Sequence, residues 1–506
     1  MKKLMTLVGG LLLLFPLFGQ VDQLDRIELS VDELKEEFTV VSMGKNGLIA
    51  FGELDEPSKG GKVKWRFIKY DTNFKKVDSK TITLDKKYYL QEDYKDDNKL
   101  YLFFNRGYKS TDYTLLKIDA TDFKVSRLEG ALPKKMIIYK VVIYKNYLYL
   151  SGTLKRDMVI AYANLKDRII KTVPIEYKGD NDVEMIVVNE QEQRVEFIIS
   201  NYHKNDGYAY IHAYKGNKKV EEIKINPKND YNLLTAKISL LDNDKRLVAG
   251  TYAKRKVGSE GMYISLLSGK KQEYMHYYKF EDFENFFDYL SEKRQEKIQK
   301  KKEKKNKKGK DLKLRYQLLV HDVIEQDDRY IFIAEAYYAV YTTRQVPVTT
   351  VVNGVTQTVY QTESVFAGYQ YTHGVITAFD KEGKLLWDNC FELNNRSFRL
   401  QRRIKVKIEG ERIKMLYVSG RSVGSKVIVG NKIIEEESIT DTKTNSETEK
   451  LKWSTSNVEY WYDDYFLMWG KQKVKEKDNK KAKKLRAKGQ KKKRRIFYVN
   501  KLKLKG

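Results

Sequence analysis

Cysteine is almost missing from this chain: Cys390 is the sole one in 506 residues. One thiol closes no internal disulfide, so stability has to come from packing, whatever the redox state of the compartment. Histidine is scarce as well. The five, His203, His212, His276, His321 and His373, share none of the short spacings that bring metal ligands together. No Gly-x-Ser-x-Gly elbow occurs, and GRSVGSKVIVGN lacks the Lys-Ser pair and the strand-to-helix context of a phosphate loop. The acid clusters EDYKDDNK (Glu92 to Lys99) and DNDKR (Asp242 to Arg246) lack the glycine and later glutamate of a calcium loop, and read as turns. Nothing here implies a catalytic set, a metal or a cofactor.

Positive charge is abundant, with 97 Lys and Arg against 69 Asp and Glu and a net charge of +28. Its placement is uneven. KRQEKIQKKKEKKNKKGK, Lys293 to Lys310, carries eleven cations against Glu296 and Glu303; Lys471 to Arg495 carries fifteen against Glu476 and Asp478. Together these runs hold 22 of the 28 net charges, so the rest of the chain is close to neutral. No aromatic residue interrupts Lys471–Arg495, which excludes a base-stacking platform for single strands and leaves only salt-sensitive, sequence-blind attraction to polyanions. A nuclear address in KKKRR conflicts with the N-terminus. MKKLMTLVGGLLLLFPLFGQ has two lysines, an apolar stretch from Leu4 to Phe18 broken by Gly9, Gly10 and Pro16, and small or polar residues after it. Residues 1–20 therefore read as a signal peptide, too short for a membrane span, with a mature chain from 21 to 506 destined for the periplasm, the outer membrane or the exterior. The mature chain holds no other candidate span.

Helical periodicity is nearly absent. Short alternating or continuous apolar runs recur instead, bounded by turn clusters: NKLYLFFNRG from Asn98, KNYLYLSGTL from Lys145, QRVEFIISNY from Gln193, KRLVAGTY from Lys245, DRYIFIAEAYY from Asp328. Each is followed by one or two further strands, and less regular copies begin near Gly47, Glu411 and Asp464. One such unit cannot bury both faces of its own sheet. Stacking the units around an axis solves this, which predicts an all-β chain forming a single β-propeller of seven or eight blades; tandem β-sandwiches are the alternative. A strand within DRIELSVDEL near the start of the mature chain is expected to complete the last blade and remove its free edge.

AFDKEGKLLWDN, Ala378 to Asn389, gives a strand, an Asp, a Gly turn and a strand bearing Trp387. This hairpin resembles the blade repeat of quinoprotein-like (PQQ-type) β-propellers. Only the unit from Gly374 to Leu393 matches, so the resemblance implies a fold and carries no active site. The acidic base, calcium ligands and vicinal cysteine pair of quinoprotein dehydrogenases have no counterpart.

Three insertions interrupt the rhythm. Residues 281–311 read as a helix from about Glu281, with Phe283, Phe286, Phe287 and Leu290 on one face, followed by a lysine-rich end. Residues 344–366 flank Asn353-Gly354, a type I′ hairpin signal, and read as a β-ribbon. Residues 471–495 read as a lysine-rich blade loop. Lys300, Lys301, Lys302, Lys304 and Lys305 of the first, with Lys491, Lys492, Lys493, Arg494 and Arg495 of the last, are the candidate contacts for a protein partner or an anionic envelope component such as lipid head groups or lipopolysaccharide. Glu335, an acid in the apolar run FIAEAYY, is placed with His321 and Asp322 as a candidate channel site. The sequence reads as an exported, non-enzymatic binding scaffold of the cell envelope, such as a subunit or cap of an envelope complex. The rival reading is a lyase or hydrolase acting on polysaccharide at a channel mouth.

Overall fold

A computed structural model describes residues 21–31, 35, 38–56, 59–85, 87–255, 258–309, 312, 314–326, 328–352, 355–419, 422–429, 432–444, 449–476 and 493–504. Residues 1–20, expected to be a leader, Lys491 and Lys492, and Asn353-Gly354, expected to form a turn, lie outside the described residues.

Among the described residues the strands form eight antiparallel sheets of four or five strands. Seven are contiguous in sequence: blades 1 to 7, spanning 39–85, 89–131, 136–174, 180–225, 232–279, 317–397 and 404–441. Blade 8, 449–504, takes its outermost strand from Val21–Ser30, which pairs antiparallel with Lys493–Leu504 from Val21 opposite Leu504 to Ser30 opposite Ile496. The molecule is an eight-bladed β-propeller closed by its N-terminal strand, as the strand rhythm predicts, and tandem sandwiches are excluded.

Why the sheets close into a ring is visible in the core. Buried apolar residues fall into eight clusters, and each joins one blade to the next: Phe104 and Trp65 between blades 1 and 2, Tyr214 and Tyr149 between 3 and 4, Ile333 and Met415 between 6 and 7, Phe497 and Ile68 between 8 and 1. The second strands are covered on both faces, so Leu100–Phe104 is buried at five successive positions, and that is why these runs are continuous rather than alternating. At the closing seam Trp461 Nε1 donates to the Gly47 carbonyl at 2.9 Å. Gly47 has φ of +91°, and a Cβ there would sit 1.9 Å from the Tyr70 carbonyl oxygen, so this contact requires glycine. A buried ionic cluster pins blade 4 to blade 5: Glu196 takes Arg194 at 2.8 Å and Arg246 at 2.9 Å, with Glu221 and Asp244 completing the set.

Two expectations change. EDYKDDNK is a turn only at Asp97–Asn98, since Glu92 to Asp96 belong to Tyr89–Asp96, the first strand of blade 2. The helix begins at Glu292, not Glu281; Phe280, Phe283 and Phe286 instead pack in turns over the seam between blades 5 and 6. The helical spacing of those aromatics arises from burial against two sheets rather than from a helix face.

Candidate functional site

Strand connectivity sorts the loops. In an up-and-down sheet the link between second and third strands and the link onward to the next blade leave from the same end. The basic helix Glu292–Asn306 lies in the link from blade 5 to blade 6, and the ribbon joins the second and third strands of blade 6. The lysine run lies between Tyr465–Glu476 and Lys493–Leu504, the second and third strands of blade 8. All three excursions therefore leave one face of the propeller, and the strand ends Val21 and Leu504 lie at the other.

The helix is polar all round and buries no residue. Lys300, Lys301, Lys304 and Lys305 are exposed, Lys300 lying 3.7 Å from Glu296, and the lysines of the last turn complement the helix dipole. Lys302 folds back and donates to the Glu281 carbonyl, so it anchors the helix and is not free for a partner. The run at 471–495 is not all loop. Lys471 to Lys475 pair with Phe497 to Lys493 as ladder. Lys493 and Arg495 are exposed, whereas Arg494 is held by Glu449 at 2.8 Å and Glu28 at 2.9 Å and belongs to the blade. The ribbon exceeds its expected bounds: its strands remain paired from Arg329 opposite Asp380 out to Val352 opposite Val355.

Glu335 and Asp322 are placed differently, and Asp322 lies within reach of the Lys237 charge of blade 5. Glu335 is fully buried on the second strand of blade 6. Its carboxylate accepts the backbone N–H groups of Arg403 (2.8 and 2.9 Å) and Ile404 (2.9 Å) and faces His321 Nε2 at 2.7 Å. It fastens blade 7 to blade 6 rather than facing a channel. Burial lowers the His321 pKa. Asp322 makes a bidentate pair with Arg402 at 2.6 and 2.7 Å; burial pushes its carboxyl up, and this pair outweighs burial and holds it below the usual range.

Another set of charges lies around the propeller axis, which sequence reading missed. The first strands of blades 2, 3, 4, 5, 7 and 8 contribute Glu92, Asp93 and Lys95, Lys140, Glu184, Lys237, Lys405 and Glu459. β-Bulges follow Leu90, Ile138 and Val183 at matching places in blades 2, 3 and 4, and re-aim these side chains. Lysines bridge neighbours: Lys95 Nζ donates to the Ser42 carbonyl (3.1 Å), Lys140 to Val183 (2.7 Å), Lys237 to Glu184 (2.9 Å). Arg399, between blades 6 and 7, acts on Glu92 and Asp93 of blade 2 across the ring, which places them around one axis. Burial and then the Asp93 charge push the Glu92 carboxyl up to about 7, against Lys140 and Arg399. Burial likewise raises Glu184 and Glu459 and lowers Lys237 and Lys405. The missed signal is the recurrence of a charged residue at one place in successive first strands.

One further buried group has a measurable consequence. His373 is fully buried, stacked on Tyr289 at 3.8 Å, and its Nε2 has no hydrogen-bond partner among the described residues. Burial pushes its pKa down to about 3, and that of His212 down to about 4. The unfolded chain takes up these protons near pH ~6.5, while the folded chain refuses them, so this stability is present above ~6.5 and is lost as pH falls. For His373 the loss by pH ~4 is roughly 3 kcal/mol. Denaturant melts should show His373→Phe nearly as stable as the parent at neutral pH and clearly less acid-sensitive.

No protein-family model matches the chain, and no curated protein matches it. Similarity appears among solved structures. A quinohemoprotein alcohol dehydrogenase ADHIIG from Pseudomonas putida HK5 is 9% identical with a TM-score of 0.41, covering 96% of this chain and 77% of that one. The polysaccharide lyase Uly1 is 9% identical (TM-score 0.38, 82% and 90% covered), and so is the β-propeller domain of the Trilobed protease from Pyrococcus furiosus (TM-score 0.34, 81% and 100%). At these values they carry no functional argument.

Proposed function

We propose that this protein is a non-enzymatic binding scaffold of the cell envelope, exported by its N-terminal leader, that meets an anionic partner through one face of the propeller. The observation behind this reading is the departure of both cationic excursions from the same end of the sheets, on a nearly neutral body. Lysines held on a rigid ring attract phosphate-bearing head groups or lipopolysaccharide at about 1 kcal/mol per cation near the surface, and the blades fix where they sit. Vesicles test it. The protein should bind phosphatidylglycerol vesicles at low salt, bind neutral phosphatidylcholine poorly, and lose the difference at high salt. Replacing 293–310 with a Gly/Ser loop and deleting 477–492 should weaken binding at least tenfold; unchanged binding by that variant would place recognition on the blades and defeat the proposal.

A second reading has one specific observation in its favour. Glu92, pushed up to about 7 within a channel that also holds Lys140 and Arg399, has the poise of a general base or acid. In a lyase acting on an acidic polysaccharide it would take the proton next to the sugar carboxylate as the glycosidic oxygen leaves, and a cation would offset the developing charge. Incubation with uronate polysaccharides, monitored for new unsaturated ends, decides this reading; an activity lost in Glu92→Gln with the fold intact would favour it.

A further inference from the structure

The ribbon of blade 6 leaves its sheet. The flanking strand Gln317–Val320 stops pairing at Tyr337, and Leu385–Ser397 stops at Tyr369. Beyond these points the two ribbon strands pair only with each other, and each presents an unpaired outer edge. Side chains on both faces are exposed, Val359 by 47% and its neighbour Tyr360 by 65%. An isolated two-stranded ribbon is at best marginally stable in water, so this one is built to be completed by another strand.

Composition says by what. From Gln345 to Thr362 no residue is charged, in a chain that is 33% charged and carries +28 overall. Val and Thr dominate, and the last ion pair, Arg344 with Glu363 at 2.9 Å, sits at the base of this segment. Reach matters as much. At ~3.3 Å per residue the strand from 339 to 352 extends roughly 45 Å. The neighbouring basic helix, 15 residues long, spans about 22 Å. Two copies of so cationic a chain repel at close range, but charges are screened beyond ~8 Å at physiological salt. A neutral arm longer than that helix lets like-charged copies meet.

We propose that the ribbon is a homodimerisation arm, pairing edge to edge and antiparallel with the same ribbon of a second copy about a twofold axis. The outer edge of Val355–Asp380 is the pairing edge, because the other strand carries Pro347, which lacks an N–H. Thr-to-Thr and Val-to-Thr neighbours across the axis bring no charges together. This goes beyond the anion-binding face and does not depend on it: salt that weakens vesicle binding should leave the dimer intact or strengthen it.

Sedimentation velocity across a concentration series is the test. The full chain should pass from monomer to dimer, with amides in 355–364 gaining hydrogen-exchange protection at high concentration. Thr358→Lys with Gln361→Lys, which sets cations against their own symmetry mates, should weaken association at least tenfold. A variant joining Arg344 to Glu363 through Asn-Gly should be monomeric with an unchanged thermal melt. A parent chain that stays monomeric to its solubility limit overturns the proposal, and so does a dimer that survives in either variant.

Discussion

Glu335→Ala is expected to cost about 3–5 kcal/mol of stability. The carboxylate is fully buried and holds two successive backbone N–H groups, those of Arg403 and Ile404, where the chain enters blade 7. Alanine would strand both donors and His321 beside them, and each orphaned buried donor costs roughly 1–3 kcal/mol. Glu335→Gln keeps an acceptor oxygen and should lose about half as much. Urea denaturation monitored by tryptophan fluorescence would read this as a lower midpoint at constant slope. The contrary result is informative too: an alanine variant of parental stability with altered ligand binding would return Glu335 to the functional surface.

Removing Val21–Ser30 should do more, destabilising the protein on the order of 10 kcal/mol, comparable to the whole stability of a domain. The strand contributes a ladder running nearly its full length along Lys493–Leu504. Its Arg26 is buried, binding Glu28 (2.9 Å), Gln472 (2.6 Å) and Asn500 (3.1 Å) and lying over the Tyr498 ring. Val21 packs into the seam with blade 7, and Ile27 and Leu29 into the seam with blade 1. Without them blade 8 has a raw edge and both seams open. A chain beginning at residue 31 should lack a cooperative melt and aggregate. A circular permutant that joins Leu504 to Val21 by a short turn, with new ends in an exposed loop, should melt like the parent, because those residues are already opposite one another. Failure of the permutant would mean that local contacts of the strand are not what closes the ring.

Much of the architecture could be read from residues alone, and the reason is the ring itself. A sheet covered on both faces writes continuous apolar runs such as Leu100–Phe104 into the chain, and these recur with the blades. The closing strand was readable because an edge needs a partner. What escaped was set by distance in space. The aromatic run from Phe280 to Phe286 has helical spacing, yet two sheets rather than a helix face bury it. Glu335 looks functional in an apolar strand, but its partners lie 68 and 69 residues away. The channel charges belong to separate blades, and no local pattern joins Glu92 to Arg399.

Blade 8 draws its outer strand from one terminus and the rest from the other, with Val21 facing Leu504. During synthesis the first strand must therefore wait, unpaired, until Lys493–Leu504 has been made. Seven sheets can form in sequence, each on its predecessor, but the ring closes only after Lys493–Leu504 is available to the first strand. Blade 8 therefore locks only once Val21–Ser30 and Lys493–Leu504 have arrived in the same place.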